Sequence, residues 1–346
     1  MTYFLRSITI FFSLLYSGFI FAGNPDRQGE AGAYELIMNP WARCAGLNNL
    51  NTSFIGGVEA MFVNTAGLSR INRTQIALGH TRWFVPSGVN INAFGLAQKI
   101  GKSGTLGISL MALDFGDIRV TTTAVPEGTG ATYSPSFFNL GVGYAHSFAN
   151  KVSVGILIRG VSEAIQDLNS FGFAIDAGVQ YVAGEKDNFK LGISLRNVGS
   201  PMKFSGEGLS TQLSSDEGTK LTYDVRLSGY ELPSLLHIGF SYDFIFTDNI
   251  KLTPVTNFTA NSFGRDEIGV GVELAITELF ALRGAYKAEL GSSEGLENSA
   301  YTGLSAGATV SMPLKKKGDS KLSIDYAYRT TSPFQGTHNL GLRLDF

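Results

Sequence analysis

The last ten residues of the chain, Thr337 to Phe346, alternate strictly between apolar side chains and polar or small ones. Leu340, Leu342 and Leu344 share a face with Phe346, because successive side chains of an extended strand point to opposite sides. Any strand with one buried face shows such alternation. The rest of the chain therefore decides what kind of sheet this strand completes.

Runs of about ten residues with the same period of two follow one another from Thr74 onward, separated by Gly, Asn, Asp and Pro. The polar side of these runs is mostly Gly, Ala and Ser, whereas a soluble β-sandwich carries Lys and Glu on its outer face. Small residues suit a crowded lumen, and the apolar face suits lipid. With the terminal segment the runs predict fourteen strands, near 74–84, 91–100, 103–115, 134–148, 151–163, 171–183, 188–198, 235–246, 249–260, 266–277, 279–289, 303–312, 320–330 and 337–346.

Composition agrees with an all-β, 14-stranded antiparallel transmembrane β-barrel whose last strand ends on an aromatic residue, as in Gram-negative outer membranes. Charged residues are 16% of the chain, where about 25% is usual in soluble proteins. The chain has 42 glycines and 12% aromatic residues. No stretch of about 18 apolar residues predicts a membrane helix. The net charge of -2 offers no basic footprint for nucleic acid.

Loop lengths predict the orientation of the barrel, because periplasmic turns are short and external loops are long. With the amino end in the periplasm, the short connections are 101–102, 149–150, 184–187, 247–248, 278 and 313–319. The external connections are then 85–90, 116–133, 164–170, 199–234, 261–265, 290–302 and 331–336. An extended run at 221–231 is assigned to a hairpin within the fourth external loop. Pro254 makes the ninth strand the weakest prediction.

The residues before Thr74 divide into two further segments. Residues 1–22 have a basic start, an apolar run and a small residue at Ala22, the layout of a signal peptide; a membrane anchor is the alternative. Residues 23–73 do not show strand periodicity and are too apolar for a free tail. We predict that they form a plug, or hatch, inside the barrel of residues 74–346, with packing against the periplasmic rim as the alternative.

Several short motifs in this chain resemble the PorV/PorQ family, which is FadL-like in its fourteen-stranded barrel. In the plug the match comprises Asn39, Pro40, Trp41, Ala42, Arg43 and Gly46, followed by Asn64, Thr65, Ala66, Gly67 and Leu68. In the barrel it continues through Leu113–Asp117, Arg196–Gly199 and Glu231–Ser234. Thr65 stands where the family has Pro, and Asn48 and Asn49 stand where Gly-Gly is common.

The resemblance implies a non-enzymatic outer-membrane component of the Bacteroidetes type IX secretion system, with no cofactor. Its partners would be secreted cargo proteins with C-terminal signal domains, sortase, attachment-complex or translocon subunits, and outer-membrane lipid. Binding residues tend to lie on loops held by a rigid scaffold. The partner-binding candidates are therefore apolar residues of two external loops, namely Val120, Val125, Pro126, Met202, Phe204, Tyr223 and Tyr230. The alternative is that these loops fold over the barrel mouth.

Other candidate sites are weaker. Gly303–Gly307 reads G-x-S-x-G, but the nucleophile elbow of hydrolases needs a strand-to-helix turn. Cys44, the only cysteine, is interpreted as a small buried residue. The four histidines, His80, His146, His237 and His338, lack neighbours at metal-ligand spacing. Arg159, Asp176, Arg196, Asp243, Glu273, Arg283, Asp325, Arg329 and Arg343 fall on the lumen side, either as structural ion pairs or as a path for a charged solute.

Three hypotheses of function remain after the sequence analysis. The first is the secretion component that binds and shuttles exported proteins. The second is a FadL-like passive transporter of hydrophobic small molecules across the outer membrane. The third and weakest is an outer-membrane enzyme, since no Ser/His pair has a motif around it.

Overall fold

A computed structural model describes residues 23–149, 151–214, 219–247, 249–291, 299–314 and 320–346, so the predicted signal peptide lies outside it. Its body is one closed sheet of antiparallel strands that pair in chain order, with fourteen wall strands when a strand interrupted at Asp243 is counted once. They are β1 Thr74–Arg82, β2 Asn90–Ile100, β3 Gly104–Asp114, β4 Ser136–Phe148, β5 Val152–Ile165, β6 Leu168–Ala183, β7 Phe189–Gly199, β8 Leu235–Tyr242 with Phe244–Thr247, β9 Ile250–Asn261, β10 Glu267–Ile276, β11 Phe280–Glu289, β12 Tyr301–Pro313, β13 Lys321–Thr331 and β14 Thr337–Asp345. β14 pairs with β1, with Gln75 opposite Asp345, so the terminal strand closes the barrel as predicted.

The two faces of the wall differ as the sequence pattern indicates. Leu78 and its cross-strand neighbours Phe94 and Leu342 form an outward row, each with 36–47% of its surface exposed. The alternate residues Ala77 and Gly79 are buried in the lumen. Exposed apolar side chains on a closed sheet identify the lipid-facing band of a membrane barrel.

The third external connection differs from the prediction. Residues 164–170 were expected to form a loop, but Ile165 pairs with Leu168 and only two residues form the turn. Gln166 takes a left-handed backbone, with φ 50, which a two-residue hairpin turn requires. β5 and β6 therefore continue further outward than their alternation suggested.

Pro254 lies within β9 without breaking it. Ser241 of β8 pairs with Val255, and Phe244 pairs with Leu252. β8 is interrupted at Asp243, next to Tyr242, which this register places opposite Pro254. The Asp243 N–H donates to the Asn188 carbonyl at 2.8 Å, so it is satisfied outside the pairing of β8 with β9.

Two external loops carry small hairpins that do not join the wall. Ile118–Arg119 pairs with Thr132–Tyr133, and Ser210–Ser214 pairs with Lys220–Asp224. The second pair confirms that the extended run beginning at Leu221 belongs to a loop hairpin. A single helical turn, Glu207–Leu209, precedes it.

The segment before β1 lies inside the barrel rather than below its rim. It consists of short helices joined by turns: Pro25–Arg27, Tyr34–Leu36, Ala42–Ala45, Asn51–Ser53, Val58–Phe62 and Thr65–Ser69. Trp41, Phe62 and Leu68 are at most 1% exposed and cluster with Met111 and Leu157 of the wall. The largest apolar core of the protein is therefore the contact between plug and wall. No helix among the described residues is long and apolar enough to cross a bilayer.

The chain runs through the plug from the external to the periplasmic side. The Asn24 N–H donates to the Asn261 carbonyl at the external end of β9, at 3.3 Å. Gly32 and Glu231 of the fourth external loop are joined by a backbone hydrogen bond of 2.9 Å. We call residues 23–38 the N-terminal arm, because they connect the plug to the external loops.

Candidate functional site

Asn64 fixes the plug to the wall. Its side-chain oxygen accepts from the Ala66 N–H at 3.2 Å and caps the helix Thr65–Ser69. Its amide nitrogen donates to the carbonyls of Thr52 in the plug and Val179 in β6, both at 3.0 Å. One fully buried side chain thus orders a helix and ties it to the barrel.

The two departures from the family motif suit the local backbone. Asn48 and Asn49 have φ values of 48 and 63, in the left-handed region that glycine adopts freely and asparagine tolerates best among other residues. Thr65 follows the capping Asn64 at the first helical position, where proline is favoured but not required. These substitutions keep the conformation for which Gly-Gly and Pro are suited.

An ion-pair network joins the lower plug to the wall. Glu59 pairs with Arg43 of the plug at 2.6 Å and with Arg343 of β14 at 3.3 Å. Arg343 also lies 3.5 Å from Asp325 of β13. Because Glu59 is 2% exposed, its charge depends on both arginines.

The lumen-side charges predicted from the sequence do face inward, and most of them form pairs. Asp176 accepts from Arg159 at 3.0 Å and from the Asn197 N–H at 2.6 Å. Arg283 lies 2.6 Å from Glu273, and Lys190 lies 2.6 Å from Asp243. Structural pairing therefore accounts for these groups. Arg329 differs, because no carboxylate among the described residues lies within ion-pair distance of it.

A cavity of ≈ 840 Å³ lies above the plug, between the N-terminal arm and the external loops. Its lining includes the aromatic residues Tyr34, Trp83, Phe84, Phe263, Tyr286 and Tyr301, together with residues that have amide or charged side chains. A second cavity, ≈ 410 Å³, opens at the periplasmic end and is lined in part by Arg283 and Arg343. The plug separates the two spaces.

The N-terminal arm is held at the edge of the large cavity by the fourth external loop. Tyr230 donates to Glu163 of β5 and to Ser170 of β6, the latter at 2.9 Å. Met202 is 1% exposed and packs with Leu36 of the arm. This part of the loop folds over the barrel and clamps the arm.

Glu35 of the arm makes this clamp sensitive to pH. Burial, and next the nearby charge of Glu163, raise the pKa of the Glu35 carboxyl to about 8. The folded arm therefore holds a proton that the unfolded chain releases near pH 4.5, so the resulting stabilisation decreases as the pH rises from about 4.5 to about 8. The protection factors of amide exchange for residues 31–36, which correct for the rise of intrinsic exchange with pH, should be lower at pH 8.5 than at pH 6. Glu35→Gln should remove most of this difference, and an unchanged pH dependence in that variant would contradict the assignment.

The predicted partner-binding residues separate into two groups. Val125, Pro126 and Tyr223 are exposed, and Val120 is half-buried within the 116–133 loop. Met202, Phe204 and Tyr230 instead belong to the clamp, where Phe204 and Tyr230 have ring centroids 5.9 Å apart. The prediction that Met202 lies on an exposed loop surface was wrong. Its apolar side chain packs beside Gly172 and Leu36 in the clamp, because burial away from water is favourable.

The plug motif residues are structural. Asn39, Trp41, Ala66 and Gly67 are buried, and a side chain at Gly67 would meet the Ile55 carbonyl at 2.1 Å. Pro40 is buried beside them and accepts from Thr81 of β1 at 3.3 Å. Arg43 contributes the Glu59 ion pair described above.

The weaker candidates also have structural roles. Ser305 of G-x-S-x-G lies in β12 and donates to the Gly46 carbonyl at 3.1 Å. Cys44 is fully buried, which raises the pKa of its thiol to about 12. Within the described ranges, no group of His, Cys, Asp or Glu could hold a metal.

Sequence reasoning missed the residues that line the cavity. His237 was weighed only as a metal ligand, but it faces the lumen near the external end of β8 and lines the cavity. Asn339 and Thr81 lie at the same level on β14 and β1. Alternation predicts which residues point inward, and loop lengths predict which half of each strand is external. Together these two signals could have identified residues that line the cavity.

Comparisons with known proteins agree on the fold. No family model matches the sequence, and no curated protein matches it. The toluene transporter TodX of Pseudomonas putida superimposes with a TM-score of 0.55 at 12% identity, covering 93% of this chain and 98% of TodX. The toluene transporter TbuX of Ralstonia pickettii gives 0.55 at 13% identity, covering 89% and 97%. The CymD monoaromatic hydrocarbon channel gives 0.55 at 12% identity, covering 90% and 98%.

Fold and likeness together define a class of protein. In its fold the chain is a FadL-like, closed barrel of fourteen antiparallel strands, the architecture that it shares with TodX, TbuX and CymD. At these identities the likeness concerns architecture alone. The PorV/PorQ resemblance stays a prediction.

Proposed function

We propose that this protein is a passive channel that admits small molecules from outside the cell and releases them inward when its plug moves. The ≈ 840 Å³ cavity on the external side of the plug carries the proposal. Its size lies within the range of about 300–1,000 Å³ that is usual for small-molecule sites. The names of TodX, TbuX and CymD, which describe toluene transporters and a hydrocarbon channel, support the same kind of function.

The plug supplies the gate in this proposal. It lies between the external cavity and the periplasmic one, and its polar contacts with the wall include the pair of Glu59 with Arg343. Without the Glu59 charge, Arg43 of the plug loses its carboxylate partner and Arg343 keeps only wall carboxylates such as Asp325, which favours displacement of the plug. Movement of the plug would join the two spaces.

Uptake into lipid vesicles tests the proposal. Vesicles that contain the protein should take up toluene faster than empty vesicles. Glu59→Gln should raise the rate severalfold, whereas Glu278→Gln, which alters an exposed pair with Lys321, should leave it unchanged. Uptake equal to that of empty vesicles for both the unmodified protein and Glu59→Gln would overturn the channel.

A second candidate, the type IX secretion component, is favoured by the exposed hairpin Ser210–Ser214 with Lys220–Asp224. Leu213 pairs with Leu221 and Thr211 pairs with Tyr223, so these side chains share one face. Leu213, Leu221 and Tyr223 are 56%, 43% and 47% exposed. An uncovered apolar face on an external loop suits a protein partner.

Co-purification from the native membrane tests this second candidate. Recovery of proteins that share a C-terminal signal domain, or of a sortase subunit, would support it. Leu213→Ser with Leu221→Ser should abolish that recovery. Gln212→Ser with Thr222→Ser, on the opposite face of the same hairpin, should not. Recovery of lipid alone would exclude this role.

A further inference from the structure

The lining of the external cavity is more polar than a hydrocarbon requires. Five asparagines line it, Asn39, Asn48, Asn49, Asn261 and Asn339. An amide carries both a donor and an acceptor, and an atom of it that the protein does not use can bond to a hydroxyl group. A purely apolar occupant would cover such groups without providing hydrogen bonds, and this is unfavourable.

Three buried side chains in this lining keep one polar atom unused. Asn39, His237 and Asn339 are 4%, 6% and 1% exposed. Asn39 Nδ2, His237 Nε2 and Asn339 Oδ1 have no hydrogen-bond partner within the part of the chain that the structure describes. They comprise a donor, an imidazole nitrogen and an acceptor, and they belong to three residues that line one cavity.

The opposite atom of each side chain is already engaged and holds it in place. Asn39 Oδ1 accepts from the Trp41 N–H at 3.0 Å, and Asn339 Nδ2 donates to Thr81 Oγ1 at 2.6 Å. His237 Nδ1 lies 2.9 Å from Thr259 Oγ1. The unused atoms are therefore pre-oriented, which lowers the cost of ordering them around a ligand.

Arg329 adds a cation to the same lining. Its guanidinium lies 3.6 Å from the centroid of Tyr301, and its Nε donates to Asn48 Oδ1 at 3.1 Å. By contrast, Lys287 is paired with Glu267 at 2.8 Å. The guanidinium has further N–H groups that hydroxyl oxygens could accept from.

Aromatic rings complete the site at the level of the mouth. Trp83 and Phe84 stack with centroids 4.1 Å apart, and Phe84 lies 5.0 Å from Tyr301. Flat apolar faces beside planar amides suit a ring that has C–H groups on its faces and hydroxyls on its edge.

We propose that this cavity binds a hydroxyl-rich molecule of one or two sugar rings rather than a hydrocarbon. The proposal rests on the channel function above and assigns its ligand class. His237 and Asn339 hold the hydroxyl edge of the ligand, Arg329 donates to its most electron-rich oxygen, and the Trp83–Phe84 stack meets a ring face. The ligand enters from outside, since the plug closes the inner end.

Calorimetric titration of the full purified protein in detergent tests this assignment, with maltose and toluene as probes. Maltose should bind, and His237→Phe and Asn339→Leu should each weaken its binding about five- to tenfold, as expected for one lost hydrogen bond. Asn139→Leu is the matched control, because Asn139 is a 2% exposed lumen amide of β4 outside the cavity. That variant should bind maltose as the unmodified protein does.

Binding of toluene without binding of maltose would overturn the assignment. Equal affinity for maltose in His237→Phe, Asn339→Leu and Asn139→Leu would also overturn it. Equal loss in Asn139→Leu would show a general effect on the barrel and would also overturn it. Vesicle uptake separates the two proposals. Toluene uptake without maltose binding leaves the channel standing and removes the ligand class, whereas no uptake of either probe removes the channel.

Discussion

Asp176→Asn is expected to lower the free energy of unfolding by about 3–5 kcal/mol. Asp176 is 1% exposed and lies 3.0 Å from Arg159 and 3.8 Å from Arg196. Asparagine keeps the shape of the side chain but removes the charge that balances two buried guanidinium groups. Urea unfolding in lipid vesicles, followed by tryptophan fluorescence, measures the change.

Asp187→Asn is the matched control for this prediction. Asp187 pairs with Lys151 on the periplasmic rim, and the two side chains are 50% and 48% exposed. An exposed pair contributes about 0–1 kcal/mol, so this variant should unfold nearly as the unmodified protein does. Equal effects of the two substitutions would show that Asp176 is not a buried counter-charge.

Gly155→Val is expected to destabilise the plugged barrel by about 3 kcal/mol. A Cβ atom at Gly155 would lie 2.5 Å from the Thr65 carbonyl carbon and 2.6 Å from the Ala66 nitrogen. Both contacts are backbone atoms of the helix that Asn64 caps, so no side-chain rotation can relieve them. The plug must move inward, and the emission of fully buried Trp41 should report the movement.

Gly284→Val provides the comparison, since the nearest atom to a Cβ atom there, the Ser305 carbonyl oxygen, is 4.0 Å away. Gly284 lies on the outward face of β11, between Leu282 and Tyr286. This substitution should change the free energy of unfolding by less than about 0.5 kcal/mol. If Gly155→Val were equally mild, the plug would not be packed against β5 as described.

Alternation and turn residues were sufficient for the wall. All fourteen strands lie within three residues of their predicted bounds, because a strand with one lipid-facing side must alternate along its whole length. The exception is the connection predicted at 164–170, which is a two-residue turn of Gln166 and Asp167. Because neither residue is glycine, the sequence does not signal a turn as tight as this. The long connections and both small hairpins lie at one end of the barrel, the end that loop lengths predict to be external.

The plug could be predicted to exist, but its contacts could not. Its apolar content required burial, for which the sequence left two places open, the lumen and the periplasmic rim. Asn64 and Glu59 reach partners far away in the chain, Val179 and Arg343, and local sequence patterns do not encode such pairings. The sequence therefore indicated a motif, and the structure showed which hydrogen bonds the motif makes.

The amino-acid order determined the barrel and its closure by the terminal strand, because both follow from a period of two repeated along the chain. The tertiary structure decided what the lumen contains. It placed Met202 and Tyr230 over the N-terminal arm instead of at the surface, and it brought His237 and Asn339 to one cavity although 102 positions separate them. Such convergence depends on the curvature of the closed sheet and on how far the plug fills it, and neither is encoded within a single strand.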